Sequence, residues 1–268
     1  MIKRAIISIT RRIELLIIRA YPKRVKLILL NFFWKYKLRN IHYKNEIFRV
    51  ESQDGNILEI TRINRLKKLK NGVNNRLIEL QREYLTSNIE LDKSELVIDI
   101  GANIGEFGKY WMEKGFKVIS FEPDPIEFKA LKLNLSDSEC YNIGLWDKAS
   151  ELKFYSKNAS GDSSFFKTNS YDRTIKLSVF PLDYFKINNE IGLLKIEAEG
   201  AEPEILKGAE KTLAKTKYVT VDVGMERGIN AESTLVEVSN ILYDNNFKLV
   251  NFNPKRLVLL FKSINNKY

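Results

Sequence analysis

Residues 96–124 read LVIDIGANIGEFGKYWMEKGFKVISFEPD, and this stretch decides the fold. An apolar run at 96–100 ends in a glycine turn, a helical pattern follows, and a second apolar run at 118–121 ends at Glu122. We therefore predict a strand, a turn, a helix and a second strand that carries an acid at its end. Glycine lets the backbone approach a ligand and a carboxylate can hold two ribose hydroxyls, so the stretch predicts a site for a nucleotide-like cofactor.

The spacing of the glycines discriminates between cofactors. The turn at 101–105 reads GANIG, whereas the dinucleotide fingerprint G-x-G-x-x-G needs a middle glycine to make room for a pyrophosphate. Asn103 stands in that place, and the Gly-Lys-Ser/Thr of a phosphate loop is absent. S-adenosylmethionine has no phosphate, and Asp99 before the turn suits its ammonium group because a carboxylate attracts a cation. The alternative is an ordinary βαβ unit with a structural glycine turn.

Composition narrows the class of protein further. The 268 residues are 44% hydrophobic and 11% aromatic, which is ample for a packed core. A single cysteine, Cys140, excludes an internal disulfide framework and favours a reducing, cytoplasmic compartment. A single histidine, His42, argues against a zinc site built on histidines and against a Ser-His-Asp triad. We predict neither a signal peptide nor a membrane-spanning segment.

The positive charge is concentrated at the N-terminus. Residues 1–44 hold twelve Lys/Arg and one Glu, whereas the remainder holds 32 basic and 33 acidic residues. Isoleucines and leucines recur every three or four positions from Ile2 to Ile17, which predicts a basic amphipathic helix. This segment can lie on an anionic membrane surface, or pack against the core or a second copy in a homo-oligomer, and packing is favoured. The near-neutral remainder argues against a nucleic-acid partner.

The order of elements predicts an α/β fold with a Rossmann-like, doubly wound sheet. Residues 1–44 form a basic helical extension, and residues 45–94 form a small β-hairpin, with an Asp-Gly turn at Asp54-Gly55, and a helix that leads into the core. Residues 95–268 form the core, because strands and helices alternate there. Ligands of such sheets bind at the carboxyl ends of the strands, so the loops after each strand are the candidate site.

The loops after the third and fourth strands supply further candidates. The amide of Asn142 can pair with the edge of an adenine, and Gly144 would let the ring lie flat against the backbone. Glu197 and Glu199 follow the fourth strand, where a carboxylate can orient and deprotonate an acceptor hydroxyl. In an extended segment the two glutamates face opposite ways, so we expect one of them to point into the crevice. Alternatively, Glu199 favours the N-terminus of the next helix together with Glu202.

Four stretches resemble the FkbM-type family of S-adenosylmethionine-dependent methyltransferases: IDIGANIG with FEPDP, NIGLWDKASELKFY, GDSSFF with PLDYF, and LLKIEAEGAEPEILKGA. The resemblance implies a class I methyltransferase fold and methylation of a hydroxyl. It assigns the glycine turn to the methionine moiety, Glu122 to the ribose, and the acidic loop to the methyl group and the acceptor. The chain departs from the family pattern Asp-Val-Glu-Gly at Glu197, which leaves the identity of the base open. The VDVGMERG stretch at 221–228 points to a glycan or glycolipid acceptor.

The predicted site therefore has two parts. We assign Glu197 and Glu199 to catalysis and no residue to a metal, although a divalent cation held by these acids and Asp222 remains an alternative. A nicotinamide-dependent sugar oxidoreductase or epimerase is a competing interpretation, which the missing middle glycine and the lack of a Tyr-x-x-x-Lys pair disfavour. An RNA methyltransferase that uses the basic N-terminus is another. The predicted cofactor residues are Asp99, Gly101, Ala102, Asn103, Gly105, Glu122, Pro123, Asn142, Ile143 and Gly144.

Overall fold

The computed structural model describes residues 23–34, 38–157, 161 and 163–265. The chain divides between Arg76 and Leu77 into two compact units. The basic helix predicted within residues 1–20 lies outside the described residues. No helix in the described part of the chain combines the length and the apolar character needed to cross a membrane.

The first unit contains a small antiparallel sheet. Its strands lie in the order β1-β2-β3, and the predicted hairpin is β2 and β3, with Gly55 in the left-handed region at φ +82°. Strand β1 was missed by the sequence analysis; the Asn31 side chain fixes it by bonding both the N–H and the carbonyl of Ile41, at 2.8 and 3.0 Å. The elements are α1 (Lys23–Trp34), β1 (Leu38–Lys44), β2 (Ile47–Ser52), β3 (Ile57–Ile60), a 3-10 turn (Ile63–Arg65) and α2 (Leu66–Leu69).

Helix α3 (Val73–Glu83) runs across the division, and the α/β core follows it. The remaining elements are β4 (Leu96–Ile100), α4 (Glu106–Glu113), β5 (Lys117–Phe121), α5 (Pro125–Asn134), β6 (Glu139–Tyr141), β7 (Gly144–Leu145), β8 (Ser150–Ser156), β9 (Arg173–Phe180), a 3-10 turn (Leu182–Phe185), β10 (Ile191–Ile196), α6 (Glu202–Lys207), α7 (Glu210–Leu213), β11 (Thr216–Asp222), β12 (Met225–Arg227), β13 (Glu232–Ser233), α8 (Leu235–Asp244), β14 (Phe247–Asn253) and β15 (Val258–Ser263).

The central sheet has seven strands in the order β14-β15-β11-β10-β4-β5-β6. Strands β11, β10, β4, β5 and β6 pair in parallel, and β15 lies antiparallel to both of its neighbours. The strand order reverses between β4 and β10, and in open α/β sheets the crevice outside the carboxyl ends at this switch point is where ligands bind. The predicted doubly wound α/β fold is confirmed.

The central position of β4 and β10 in the sheet explains why their residues are buried. Every residue of β4 and β10 is buried, as expected for central parallel strands covered on both faces. Most of their apolar side chains join one core cluster with residues of β11, β15 and α6, whereas Val97 and Leu193 join a second cluster. Two charged residues, Asp99 and Lys195, lie within these otherwise apolar strands, and they are 0% and 2% exposed. A charge placed so deeply must have a partner, so these two residues mark a functional or structural contact.

Gly101 holds β4 against the loop that follows β10. A Cβ added at Gly101 would lie 1.7 Å from the Glu197 carbonyl oxygen, and the residue has φ +66°. We expect Gly101→Ala to lower the free energy of unfolding by more than ~3 kcal/mol, because it adds a backbone clash to a left-handed strain of about 1–2 kcal/mol. Gly115→Ala is the matched control, since Gly115 has φ +84° and open space around it. Urea unfolding that gives equal losses for the two variants would contradict the close approach.

Candidate active site

The turn after β4 is built from left-handed residues. Gly101, Asn103 and Gly105 have φ values of +66°, +52° and +88°. The Ala102 N–H donates to the carbonyl of Phe121 at 3.0 Å, which fastens the turn to the end of β5. The structure thus brings the predicted glycine turn and the predicted acid after β5 to the same edge of the sheet.

Glu122 is held by the turn itself. Its Oε2 accepts the Asn103 N–H and its Oε1 accepts the Asp124 N–H, each at 2.7 Å, and the residue is 5% exposed. Burial raises the pKa of Glu122 to about 8, although these two N–H groups oppose the rise. A carboxylate has about four acceptor positions, so both oxygens keep capacity for ribose hydroxyls. Its predicted role at the ribose stays a prediction, with a geometry that suits it.

The loop after β6 folds back onto the same acid. The Asn142 amide donates to the carbonyls of Glu122 and Pro123, at 2.8 and 3.1 Å. Its Nδ2 therefore organises the loop, and the predicted adenine contact of Asn142 and Ile143 stays a prediction. A Cβ at Gly144 would lie 2.4 Å from the Phe165 ring. This corrects the reason given for Gly144: the glycine makes room for an aromatic side chain of the protein itself.

Beneath the turn, Asp99 pairs with a lysine from the neighbouring strand. The Lys195 ammonium lies 2.9 Å from Asp99 Oδ1 and donates to the carbonyls of Ile100 and Gly101 at 3.2 and 2.9 Å. Burial raises the pKa of Asp99, and the ammonium opposes the rise. Burial lowers the pKa of Lys195, but Asp99 and Glu197 outweigh it and leave the value above its usual range. The predicted contact of Asp99 with a cofactor ammonium stays a prediction, and the carboxylate already has a cationic partner.

Glu197 contacts the ammonium group of the same lysine. Its Oε2 is 3.4 Å from the Lys195 ammonium, and its Oε1 accepts a hydrogen bond from Arg256, in the loop between β14 and β15. Strand β10 ends at Ile196, so the expectation of an extended segment through Glu197 and Glu199 is wrong. Glu199 has φ +51°, and Gly200 follows at φ +99°. The chain turns sharply here, so the alternation of an extended strand does not apply.

Arg256 gathers side chains that the sequence analysis did not connect. Its guanidinium donates to Asp222 Oδ2 at 2.9 Å, to Glu83 Oε2 at 2.7 Å and to the Tyr84 hydroxyl at 2.8 Å, besides its bond to Glu197. The planar, five-donor fork of arginine can serve several acceptors at once. No short motif marks this residue, because its partners come from the end of α3, β11 and the loop after β10.

The loop after β10 is fixed from several sides. The Ser164 hydroxyl, from the segment that carries GDSSFF, donates to the Glu199 carbonyl at 2.8 Å. Glu202 Oε1 accepts the N–H groups of Ala198 and Gly200 at 2.9 and 3.1 Å, so this side chain at the start of α6 binds back to the loop. The assignment of Glu199 to catalysis stays a prediction. Within the described ranges, no group of three or more His, Cys, Asp or Glu side chains fits a metal ion.

These features define the class of protein. A parallel sheet that reverses its strand order beside a glycine turn, with an acid at the end of the next strand, is the architecture of Rossmann-like, class I methyltransferases that use S-adenosylmethionine. The family model described as the methyltransferase FkbM domain matches residues 99–249, which is more than half of the chain, so this chain belongs to the FkbM methyltransferase family.

Two curated relatives and one solved structure show the same similarity. Methyltransferase sdnD of Sordaria araneosa is 26% identical over 174 residues, covering 50% of this chain and 67% of that protein. The 2-O-methyltransferase NoeI of Sinorhizobium fredii is 22% identical over 148 residues, covering 46% of this chain and 61% of that protein. The crystal structure of Methyltransferase FkbM from Methylobacillus flagellatus matches with a TM-score of 0.48 and 19% identity, over 89% of this chain and 59% of the other. The chain thus spans about three fifths of NoeI and of that structure.

The residues at the switch point fit S-adenosylmethionine. The left-handed turn lies beside Glu122, which offers acceptor positions at the end of β5. When bound, the cofactor supplies a methyl group on a sulfonium centre. Glu122, fixed by two backbone N–H groups, and the turn, fixed by Lys195, are the parts of the chain that would bind and orient it.

The raised pKa of Glu122 predicts that cofactor affinity depends on pH. Ribose hydroxyls donate more strongly to an ionised carboxylate, so binding favours the deprotonated form. Because the pKa is about 8, the affinity for S-adenosylhomocysteine should rise roughly tenfold between about pH 6 and about pH 9 and then level off. Isothermal titration measures this.

Glu122→Gln tests the same assignment. An amide N–H₂ would face one of the two backbone N–H donors, so we expect affinity to fall by about ten- to a hundredfold and its dependence on pH to vanish. Glu139→Gln is the control, because Glu139 is exposed on β6. Unchanged affinity in Glu122→Gln would show that the ribose is held elsewhere.

Proposed function

We propose that this methyltransferase transfers the methyl group of S-adenosylmethionine to a hydroxyl oxygen of an uncharged sugar, as a free glycan, a glycolipid or part of a polysaccharide. The observation that carries the proposal is the acidic character of the crevice next to the glycine turn. Glu197 lies there on the loop after β10, Asp222 at the end of β11 and Glu226 on β12. Their mutual interactions raise the pKa values of Asp222 and Glu226, after burial as the larger cause.

An acidic crevice selects against anionic acceptors. A phosphate or uronate brought near these carboxylates would meet negative charge that Lys195 and Arg256 compensate only in part. A neutral polyol instead donates hydroxyl hydrogens to carboxylate oxygens, which accept without donating. The chemistry therefore favours a sugar with several free hydroxyls.

The relatives support oxygen as the methylated atom. NoeI is described as a 2-O-methyltransferase, and this chain shares 22% of its residues over the matched segment. Membership in a methyltransferase family decides against the nicotinamide-dependent alternative. The VDVGMERG segment, which pointed to a glycan acceptor, includes Asp222 and Glu226 of the crevice.

The proposal is tested with sugar probes of different charge. The full chain is incubated with S-adenosylmethionine and p-nitrophenyl glycosides of neutral hexoses and 6-deoxyhexoses, and methylated products are identified by mass spectrometry and linkage analysis. We expect neutral glycosides to be methylated at least about tenfold faster than the matched p-nitrophenyl glucuronide or hexose phosphate, which corresponds to about 1.4 kcal/mol. Faster transfer to the charged probes, or transfer to RNA alone, would overturn the proposal.

A further inference from the structure

Glu226 occupies a rigid position beside the loop that follows β10. It lies in the middle of β12, and the next residue, Arg227, donates to the Gly200 carbonyl at 2.7 Å and to both carboxylate oxygens of Glu204 at 2.9 and 2.6 Å. A Cβ at Gly200 would lie 2.7 Å from the Arg227 Cα, so the two backbones are in contact. Met225 and Arg227 pair with the adjacent residues Ser233 and Glu232, so Glu226 is the extra residue of a β-bulge, a feature that re-aims a side chain.

Glu226 and Asp222 face the same small volume. An atom placed at the Cβ position of Gly224 would lie 3.1 Å from Asp222 Oδ1 and 3.3 Å from Glu226 Oε1. Asp222 is at the carboxyl end of β11, next to β10 in the sheet, so this volume lies at the edge where the methyl donor binds. Two carboxyl groups that converge in this way cannot both ionise easily unless a cation compensates one of them.

The Arg256 guanidinium forms ion pairs with Asp222 and Glu197 rather than with Glu226. Arg256 bonds Asp222 through Nε at 2.9 Å and also bonds Glu197, which has the Lys195 ammonium at 3.4 Å as well. A neighbouring cation favours the charged form of a carboxylate and so weakens its tendency to take up a proton. Among the described residues, no ion pair reaches Glu226.

The charges around Glu226 tune it for proton transfer. The pKa of Glu226 is raised to about 8. Burial is the largest cause, the charges of Asp222, Glu197 and Glu202 add to it, and Arg256 opposes the rise. General bases work best when their pKa lies near the operating pH, so this group takes up a proton more readily than an ordinary glutamate. The side chain is only partly buried, which leaves it accessible to an acceptor.

We propose that Glu226 is the general base that removes the proton from the acceptor hydroxyl, an inference that rests on the proposed function. In this step the acceptor O–H bond breaks and the proton passes to a Glu226 carboxylate oxygen. The acceptor oxygen forms a bond to the methyl carbon while the carbon–sulfur bond breaks, and its electron pair stays on sulfur. Glu197 and Asp222, held by Arg256, orient the acceptor without taking the proton.

Carboxyl titration tests this assignment without turnover. The full chain is labelled with ¹³C at the glutamate carboxyl carbons, saturated with S-adenosylhomocysteine and titrated by NMR, with Glu226→Gln identifying the resonance. We expect the Glu226 resonance to titrate near 8 rather than near 4.5, and to shift down when Asp222→Asn removes the neighbouring charge. A Glu226 resonance that titrates near 4.5 would overturn the proposal.

Kinetics with the neutral glycosides provide the second readout. We expect Glu226→Gln to lower kcat by about 10²–10⁴-fold, with affinity for S-adenosylhomocysteine unchanged within about twofold, and to abolish a rise of kcat/KM with pH up to about 8. Glu232→Gln, an exposed glutamate on the partner strand β13, should behave as wild type. Equal rates for wild type and Glu226→Gln would overturn the role of Glu226 alone. Absence of transfer by the wild type to every glycoside would overturn the proposed function and this role together.

Discussion

The buried ion pair of Asp99 and Lys195 connects β4 and β10, the two strands between which the strand order reverses. The geometry of the candidate site depends on this pair. Lys195 reaches from β10 to the carboxylate of β4 and to the two carbonyls that begin the glycine turn. Removing one member of a buried pair leaves an uncompensated charge, which costs far more than the pair itself contributes. The turn therefore has its shape because β10 carries a lysine in a strand whose other residues are apolar.

The same lysine joins the predicted cofactor half of the site to the proposed acceptor half. Beyond Asp99, its ammonium reaches Glu197, and Glu197 reaches Arg256, which in turn holds Asp222. Acids and bases alternate along this row, so each carboxylate in it lies beside a cation. Removal of one charge at either end of the row would leave its neighbour with one partner fewer. The predicted donor side and the proposed acceptor side therefore share one row of charges.

The sequence predicted the parts of the site that local chemistry determines. The glycine turn and Glu122 lie within one βαβ unit, where strand, turn and acid follow each other at short spacing. Arg256 and Tyr84 could not be found in this way, since they are 172 residues apart and meet only when β15 inserts beside β11. The extended interpretation of Glu197 and Glu199 failed for a similar reason: the left-handed residues after β10 are stabilised by the distant Ser164 as well as by the nearby Glu202.

The ion pairs of the site give a physical reason for the glutamate at position 197. The family pattern has an aspartate there, one methylene shorter than the glutamate of this chain. The longer side chain places its two oxygens on two different cations, Lys195 and Arg256. A carboxylate committed in that way holds its charge and is suited to orienting a hydroxyl. Proton removal then requires a carboxylate near the same volume that is not held in an ion pair. Among the described residues Glu226 on β12 meets this condition, and Arg227 fixes the strand through Gly200 and Glu204.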